Sequence, residues 1–291
     1  MFERILYPTD FSEVSLHALH NCIPQLVDMG VKDLIVVNVV DVIPEDIVSI
    51  DTMEKKARER LEKIQSDLKE KGISSRYMVD IGSPAGKIAA EAVCPSFEIV
   101  ERAYCEMVDL IVLPTKGKNV LREKLIGSTA RNVARRCKIP VLLLRYEWDK
   151  KAGKPKGAID CAHMFEKPLI ALDFSACSGP IANTVKKFGD IVKEGFLYHV
   201  VDYGSEKEID ENMKKAESEL GKYERTFSFP VKKKADSGEA SESIMNEAND
   251  VGASTIVIGK RGRGMVKEIL IGSAANAVIR RSKVPVLLIP C

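Results

Sequence analysis

A block of 34 residues occurs twice in this chain. Residues 111–144 and 256–289 align without a gap at an offset of 145, and 17 of the 34 positions are identical. Each block combines an apolar run, a glycine-containing loop, a helical pattern and a second apolar run. The duplication predicts two tandem domains. We expect the domains at 1–147 and 167–291, joined by a linker at 148–166 that is rich in Lys and Gly.

Apolar strand patterns alternate with amphipathic helix patterns in both halves. Five strands alternating with four helices in each half predict an α/β fold, with two tandem open, doubly wound parallel sheets covered by helices on both faces. In such Rossmann-like sheets, ligands bind beyond the carboxyl ends of the strands, where the strand order reverses. The predicted strands are 5–8, 34–40, 76–79, 110–113 and 140–144, then 169–172, 196–201, 226–231, 255–258 and 286–289. The predicted helices are 12–29, 52–71, 84–92 and 128–137, then 175–189, 206–225, 239–250 and 273–281.

The bulk composition, 45% hydrophobic and 30% charged, is that of a globular protein. The net charge of +2 gives no basis for binding nucleic acid or an anionic membrane, and no apolar run is long enough to span a bilayer. Seven scattered cysteines, odd in number and without a CxxC pair, predict free thiols in a reducing cytoplasm. Neither the cysteines nor the four histidines show metal-ligand spacing, and the opening residues lack a signal-peptide pattern.

The glycines of the repeated block have the spacing of an anion-binding loop. The second block reads Gly259-Lys-Arg-Gly262, then nine residues, then Gly272-Ser273 at a predicted helix start. A helix N-terminus offers unpaired N–H groups and a partial positive charge, and glycine lets a phosphate approach the backbone. One of three basic side chains could add charge-assisted hydrogen bonds to the distal phosphates: Arg261, Lys260 or Arg263. The alternative, in which these are only turn glycines and a serine cap, remains open from the spacing alone.

These features resemble a known family. The pattern GxxG-x9-G(S/T), between a β-branched strand and a helix followed by a PVLLI-type strand, resembles the ATP-binding signature of the universal stress protein family. The stretches ILYPTDFSEVSLHAL at 5–19, VVNVVD at 36–41 and LYHVVD at 197–202 are similar to its opening elements. The resemblance implies strand order 3-2-1-4-5 and binding of ATP, ADP or AMP, with Mg²⁺ only alongside ATP. It also implies a pseudo-dimer of the two halves through their last strands, and a homodimer of chains.

The resemblance also implies which residues hold the nucleotide. The Asp after strand 1 lies by the nucleoside, and the Val ending strand 2 contacts adenine through its backbone; from the residues alone, a capping Asp and a core Val remain open. In the second half the implied nucleotide-binding residues are Leu172, Asp173, Val200, Gly259, Arg261, Gly262, Gly272, Ser273 and Ala274. In the first half they are Pro8, Thr9, Asp10, Val39, Pro114, Lys116, Gly117, Gly127, Ser128 and Thr129.

Two functions remain open as alternatives to a nucleotide-binding stress-response module. One is a slow ATP hydrolase or phosphotransfer enzyme, for which the loop supplies no obvious base, so no catalytic residue is assigned. The other is a nucleotide-free interaction scaffold, against which the intact second motif counts. Gly82–Lys87 lacks the spacing and the Ser/Thr of a Walker A loop. His199 lies inside a predicted strand and is expected to be a packed or surface residue. The sequence names no protein partner.

The first copy departs from the signature at one position. Pro114 stands where the second copy has Gly259. Proline removes an N–H donor and places a ring where backbone would approach a ligand. We therefore predict that the second half binds adenine nucleotide more tightly than the first. Titrating nucleotide into the two separated halves measures this difference, and equal or reversed affinities would reject it.

Overall fold

The chain forms two compact units. A computed structural model describes residues 2–40, 50–81, 95–115, 126–145, 148–149, 154–155, 161–205, 207–262 and 271–291. One unit covers Met1–Cys161 and the other Ala162–Cys291. Each contains a five-stranded parallel sheet with helices, so the predicted α/β class is confirmed.

In the first unit the sheet runs in the predicted order 3-2-1-4-5. Its first strand pairs with both the second and the fourth, and the order reverses between them. The strands are β1 (Arg4–Pro8), β2 (Asp33–Val40), β3 (Ser75–Ile81), β4 (Leu110–Pro114) and β5 (Val141–Leu144). The helices are α1 (Glu13–Asn21), α2 (Ile23–Asp28), α3 (Ile50–Glu70), α4 (Pro95–Cys105) and α5 (Ser128–Arg136).

The region between the two sheets contains a small antiparallel ladder. Strands β6 (Trp148–Asp149) and β7 (Lys154–Pro155) pair with each other inside the segment predicted as a linker. The predicted domain boundaries themselves stay predictions.

The second unit repeats the order 3-2-1-4-5. Its strands are β8 (Pro168–Ala171), β9 (Gly195–Val201), β10 (Val231–Ser237), β11 (Thr255–Gly259) and β12 (Val286–Ile289). Its helices are α6 (Ser178–Lys186), α7 (Ile209–Glu224), α8 (Ala240–Asp250) and α9 (Ser273–Arg281), with a short 3-10 turn at Gly189–Ile191. Every residue of the two central strands, β8 and β11, is buried, as expected for parallel strands covered on both faces.

One predicted strand is wrong. Thr226–Val231 was expected to form the third strand of the second unit, but β10 begins only at Val231 and runs to Ser237. Its sequence VKKKADS lacks an apolar pattern because β10 pairs only with β9 in this unit and its lysines are exposed. Three of these lysines form ion pairs: Lys232 with Glu194, Lys233 with Glu224 and Lys234 with Glu247. Charged side chains of this kind are typical of edge strands.

Two helix predictions in the first unit also need correction. The helix expected from Ser12 to Met29 divides at Cys22, with Pro24 in the first turn of α2, although Ser12 caps α1 as predicted by accepting a hydrogen bond from the Ser15 N–H. Helix α4 occupies Pro95–Cys105, where no helix was expected. The predicted helix 84–92 lies outside the described residues.

The expectation of free thiols is wrong for four cysteines. Cys22 and Cys161 form a disulfide in the first unit, and Cys177 and Cys291 form one in the second. Their Cα atoms are 5.1 and 5.0 Å apart, within the normal range for disulfides. Among the described residues, Cys105 and Cys137 take part in no disulfide. The odd number and wide scatter of the cysteines led to the wrong prediction. Each disulfide joins residues more than 100 positions apart, which only the fold brings together.

No helix among the described residues combines the length and the apolar character needed to cross a membrane.

Three strands of the first sheet are joined at their amino ends by charged side chains. Asp33 of β2 accepts hydrogen bonds from the Arg76 guanidinium of β3, and Arg4 Nε of β1 lies 2.8 Å from Asp33 Oδ2. The hydrogen bond from Arg76, together with the charges of Arg76 and Arg4, lowers the pKa of Asp33 although burial opposes the shift.

We predict that Asp33→Asn lowers the free energy of unfolding at pH 7 by about 1 kcal/mol, the size expected for an ion pair that is partly exposed. A lowered carboxyl pKa stabilises the folded state above the unfolded value, near 3.9, and this contribution is lost as pH falls through the folded pKa. The difference between variant and parent should therefore shrink below about pH 4. Urea unfolding from pH 7 to pH 3 measures it, with the exposed Glu59→Gln as the control. Equal stability of Asp33→Asn and the parent at pH 7 would contradict the prediction.

Candidate functional site

A cavity of about 420 Å³ opens at the carboxyl ends of the strands in the second unit. Its volume lies within the range of small-molecule binding sites, roughly 300–1,000 Å³. It lies beyond the ends of the neighbouring strands β8 and β11, where the strand order reverses. Ligands are expected at this position in open parallel sheets. Its lining includes all nine residues implied for the second half: Leu172, Asp173, Val200, Gly259, Arg261, Gly262, Gly272, Ser273 and Ala274.

One end of the cavity is formed by the start of α9. Gly272 is the N-cap residue, and the N–H groups of Ser273 and Ala274 belong to the first turn, where a helix offers no acceptor of its own. Arg261 lines the same cavity. The amide of Gly272 has a different role, because it donates to the Lys260 carbonyl at 2.9 Å and closes the base of the loop. The donors at this end are therefore the helix amides after Gly272, and Arg261 adds a basic side chain to the cavity lining.

The glycines at the end of β11 are needed because other groups approach them closely. A Cβ built on Gly259 would lie 2.8 Å from Cβ of Cys177, and one built on Gly262 would lie 3.1 Å from Oδ2 of Asp173. The first distance is shorter than Cβ contacts ever are. Gly259 and Gly262 therefore let the turn after β8 pack against the end of β11.

Asp173 presents an oriented carboxylate to the cavity. Its Oδ1 accepts from the N–H and the hydroxyl of Ser175, at 3.0 and 2.6 Å, and from the Ser178 hydroxyl at 3.4 Å. Its Oδ2 is buried, and none of the described residues donates a hydrogen bond to it. A buried carboxylate oxygen without a donor is unfavourable. The fixed carboxylate is therefore suited to accept a hydrogen bond from a ligand hydroxyl or amine.

The turn that carries this aspartate is strained in the same way in both units. Phe174 has φ of 57°, and Phe11, at the matching place after Asp10, has φ of 58°. Such a conformation costs a non-glycine residue about 1 kcal/mol or more. Ring contacts hold both residues: Phe174 stacks on His199 with centroids 4.3 Å apart, and the Arg60 guanidinium lies 4.2 Å from the centre of the Phe11 ring.

His199 has a positioning role that the sequence analysis missed. It is 2% exposed, and its Nδ1 lies 2.6 Å from the Leu172 carbonyl, to which it must donate because a carbonyl only accepts. In the first unit, Asn38 Nδ2 donates to the Thr9 carbonyl at 2.7 Å. Both side chains hold the last carbonyl before the site aspartate. The matching offset of Asn38 and His199, one position before Val39 and Val200, is the signal that could have identified the pair.

Further cavity residues were not predicted. They come from the end of β9, the loop after it, and the first turns of α8. The polar ones among them are Tyr198, His199, Asp202 and Tyr203, and the apolar ones include Ala240 and Ile244. Burial, followed by the charge of Asp236, raises the pKa of Tyr198, so this phenol stays neutral. No local motif marks Ala240 and Ile244, because α8 reaches the cavity only through its packing on the sheet.

The implied residues of the first unit occupy the matching elements. Pro8 ends β1, Pro114 ends β4, and the Gly127 amide donates to the Thr115 carbonyl at 2.8 Å, as Gly272 does to Lys260. Thr9 is buried and accepts from the Ser15 hydroxyl. The remaining described ones are Asp10, which is exposed, Val39 in β2, and Ser128 and Thr129 in the first turn of α5. Lys116 and Gly117 lie outside the described residues.

We predict that His199→Leu destabilises the second unit by about 1–3 kcal/mol, because it leaves the buried Leu172 carbonyl without a donor. His199→Asn places in the second unit the side chain that the first unit uses, and it should cost less. Urea unfolding of the two variants measures the difference. Equal losses for Leu and Asn would show that the hydrogen bond to Leu172 contributes little.

Comparisons with known proteins point to one family. A model of the universal stress protein family matches residues 1–145 and 164–290. A universal stress protein of Methanocaldococcus jannaschii is 27% identical over 167 residues, covering 50% of this chain and 96% of the relative. One of Mycobacterium tuberculosis is 25% identical over 189 residues, covering 62% of this chain and 61% of the relative.

A solved structure supports the same fold over the full length. The crystal structure of a universal stress protein from Archaeoglobus fulgidus aligns with a TM-score of 0.71 and 23% identity, covering 99% of this chain and 98% of that one. At this identity the likeness shows the fold alone. Since the family model covers both units almost completely, the chain belongs to the universal stress protein family, in a tandem arrangement.

Proposed function

We propose that the second unit binds an adenine nucleotide, with its phosphates at the start of α9 and its nucleoside against Asp173 and Val200. One observation carries the proposal: a single cavity is lined by the first turn of α9, by Arg261 and by Asp173, whose buried Oδ2 accepts no hydrogen bond from the described residues. A ligand that suits both must have an anionic portion and a hydrogen-bond donor.

Electrostatics favour the phosphates at the start of α9. The N–H groups of Ser273 and Ala274 point along the helix axis with the positive end of the α9 dipole. Arg261 supplies a permanent positive charge whose planar donors match phosphate oxygens. A Cβ at Gly272 is absent where the phosphate would approach the first turn of the helix.

The nucleoside end of the cavity combines one fixed hydrogen-bond acceptor with apolar walls, which suits a base and its sugar. Asp173 Oδ2 would accept from a ribose hydroxyl or from the adenine amine, in place of the donor that it lacks among the described residues. Val200, Ile244 and Ile258 line the cavity and offer apolar surface to a planar base. The ligand class that combines these parts is ATP, ADP or AMP, with Mg²⁺ bound only alongside ATP phosphates.

Family membership supports the biological role in which this binding would act. We propose a stress-response or regulatory module whose nucleotide occupancy changes an equilibrium between states of the protein. Weaker binding by the first unit, pairing of the two halves through their last strands, and homodimerisation of chains stay predictions.

Replacing Gly272 by Asp tests the phosphate site. Gly272 has φ of −57°, which any residue adopts, and Asp is a favoured N-cap residue, so the fold should survive. Its carboxylate would occupy the anion position at the start of α9 and repel phosphate. We expect ATP binding by the second unit to weaken at least about 100-fold, the equivalent of one or two charge-assisted hydrogen bonds. Isothermal titration calorimetry of the full chain measures the loss.

Gly127→Asp is the matched control, because Gly127 is the N-cap residue of α5 with nearly the same backbone angles. It should leave binding by the second unit unchanged. Two further measurements decide between the alternatives. Adenine nucleotide released from the denatured protein supports the proposal, whereas none, together with no thermal shift from ATP, supports a scaffold. Steady phosphate release that Gly272→Asp abolishes would instead favour an enzyme.

A further inference from the structure

The disulfide of the second unit lies directly behind the proposed site. Cys177 is the N-cap residue of α6, it is buried, and its Cβ is the closest neighbour of Gly259 on the side where a side chain would project. Gly259 also lines the cavity. The bond from Cys177 to Cys291 therefore packs against the first residue of the glycine loop.

The other cysteine is held to the same strand end by backbone hydrogen bonds. Gly259 and Ile289 are partners in the pairing of β11 with β12, and the Lys260 amide donates to the Ile289 carbonyl at 2.7 Å. Cys291 follows two residues later. To reach Cys177 the chain must pass over the end of β11. The disulfide thus connects the segment that follows β12 to the start of α6, next to the first residue of the glycine loop.

Cys177 is also connected to the site aspartate. Its N–H donates to Ser175 Oγ at 3.2 Å, and the Ser175 hydroxyl donates to Asp173 Oδ1 at 2.6 Å. A shift of Cys177 would therefore move the hydrogen bonds that orient the Asp173 carboxylate. Through Gly259 and through Ser175, one covalent bond restrains both the phosphate end and the nucleoside end of the cavity.

We propose that the Cys177–Cys291 disulfide is a redox-sensitive clamp on nucleotide binding by the second unit, with the oxidised form binding more tightly. The inference rests on the proposed function and adds a mode of regulation to it. The closed disulfide preorganises the turn after β8 against the glycine loop. When the disulfide is reduced, the turn and the loop relax before a ligand binds. Binding then has to order them again, which weakens affinity.

The switching step is an ordinary thiol–disulfide exchange with a dithiol reductant. A thiolate of the reductant attacks Sγ of the partly exposed Cys291, the Cys177–Cys291 bond breaks, and Cys177 leaves as a thiolate that takes up a proton. The second thiol of the reductant then displaces Cys291, which also ends as a thiol. The protein gains two electrons and two protons, and the reductant becomes its own disulfide.

The clamp is specific to the unit with the complete glycine motif. At the offsets that relate the two halves in these regions, 163 and 145, Val14 and Tyr146 stand where the second unit has its two cysteines. The disulfide of the first unit connects Cys22, between α1 and α2, to Cys161, and neither residue lines the cavity of the second unit. Cys22 therefore provides a matched control.

The test measures ATP affinity of the full chain with the disulfide closed and open. Gly127→Asp serves as the background, so that only the second unit binds. Titration calorimetry is run on oxidised protein and on protein kept in excess dithiothreitol, and alkylation with mass spectrometry verifies the state of Cys291. We expect reduction to raise the dissociation constant at least about fivefold, a typical lower bound for coupling between sites. By linkage, saturating ATP should make the Cys177–Cys291 bond harder to reduce by the same factor.

Two variants make the result specific. Cys291→Ala should bind like the reduced parent under both conditions, whereas Cys22→Ala should keep the full redox response. Equal affinity in the two states, tighter binding after reduction, failure of Cys291 to oxidise, or loss of the response in Cys22→Ala alone would overturn the clamp. Absence of ATP binding in either state would overturn the proposed function itself, so the two failures are distinguishable.

Discussion

The site depends on the close approach between the turn after β8 and the end of β11. Asp173 Oδ2 lies 3.1 Å from where a Cβ of Gly262 would be, and Cys177 lies closer still to Gly259. At Gly259 a side chain would force Cys177 to move, and at Gly262 it would press on the Asp173 carboxylate. The same glycines leave the backbone accessible from the cavity. One steric requirement therefore both builds the cleft and keeps it open to a ligand.

The two units hold the turn after their first strand in the same conformation with different side chains. Each has a phenylalanine at positive φ after its aspartate, and each holds the preceding carbonyl with a side chain from the second strand. The first unit uses Asn38 and the second His199. The geometry of the turn is thus kept while the residues that enforce it differ. The units differ in the glycine loop, where Pro114 stands in place of Gly259, and in the disulfide that joins Cys177 to Cys291 in the second unit.

Much of the fold could be predicted because its central strands are buried on both faces. Continuous apolar runs such as those of β4 and β11 require covering helices, and the alternation of the two patterns specifies a parallel sheet. The prediction failed at β10, whose exposed lysines carry no apolar pattern. At an edge, backbone pairing with a neighbouring strand suffices to form a strand, and the side chains remain free to be polar.

By itself, the sequence determined the duplication and the α/β class, because both are written in local periodicity or in fixed spacing along the chain. The strand order and nine of the residues that line the cavity followed from the resemblance to a known family. Only the tertiary structure decided which distant groups meet. It paired Cys177 with Cys291 across 114 positions, brought α8 to the cavity wall, and left one oxygen of Asp173 without a donor among the described residues. These contacts depend on how helices and strands pack in three dimensions, and no interval in the sequence encodes them.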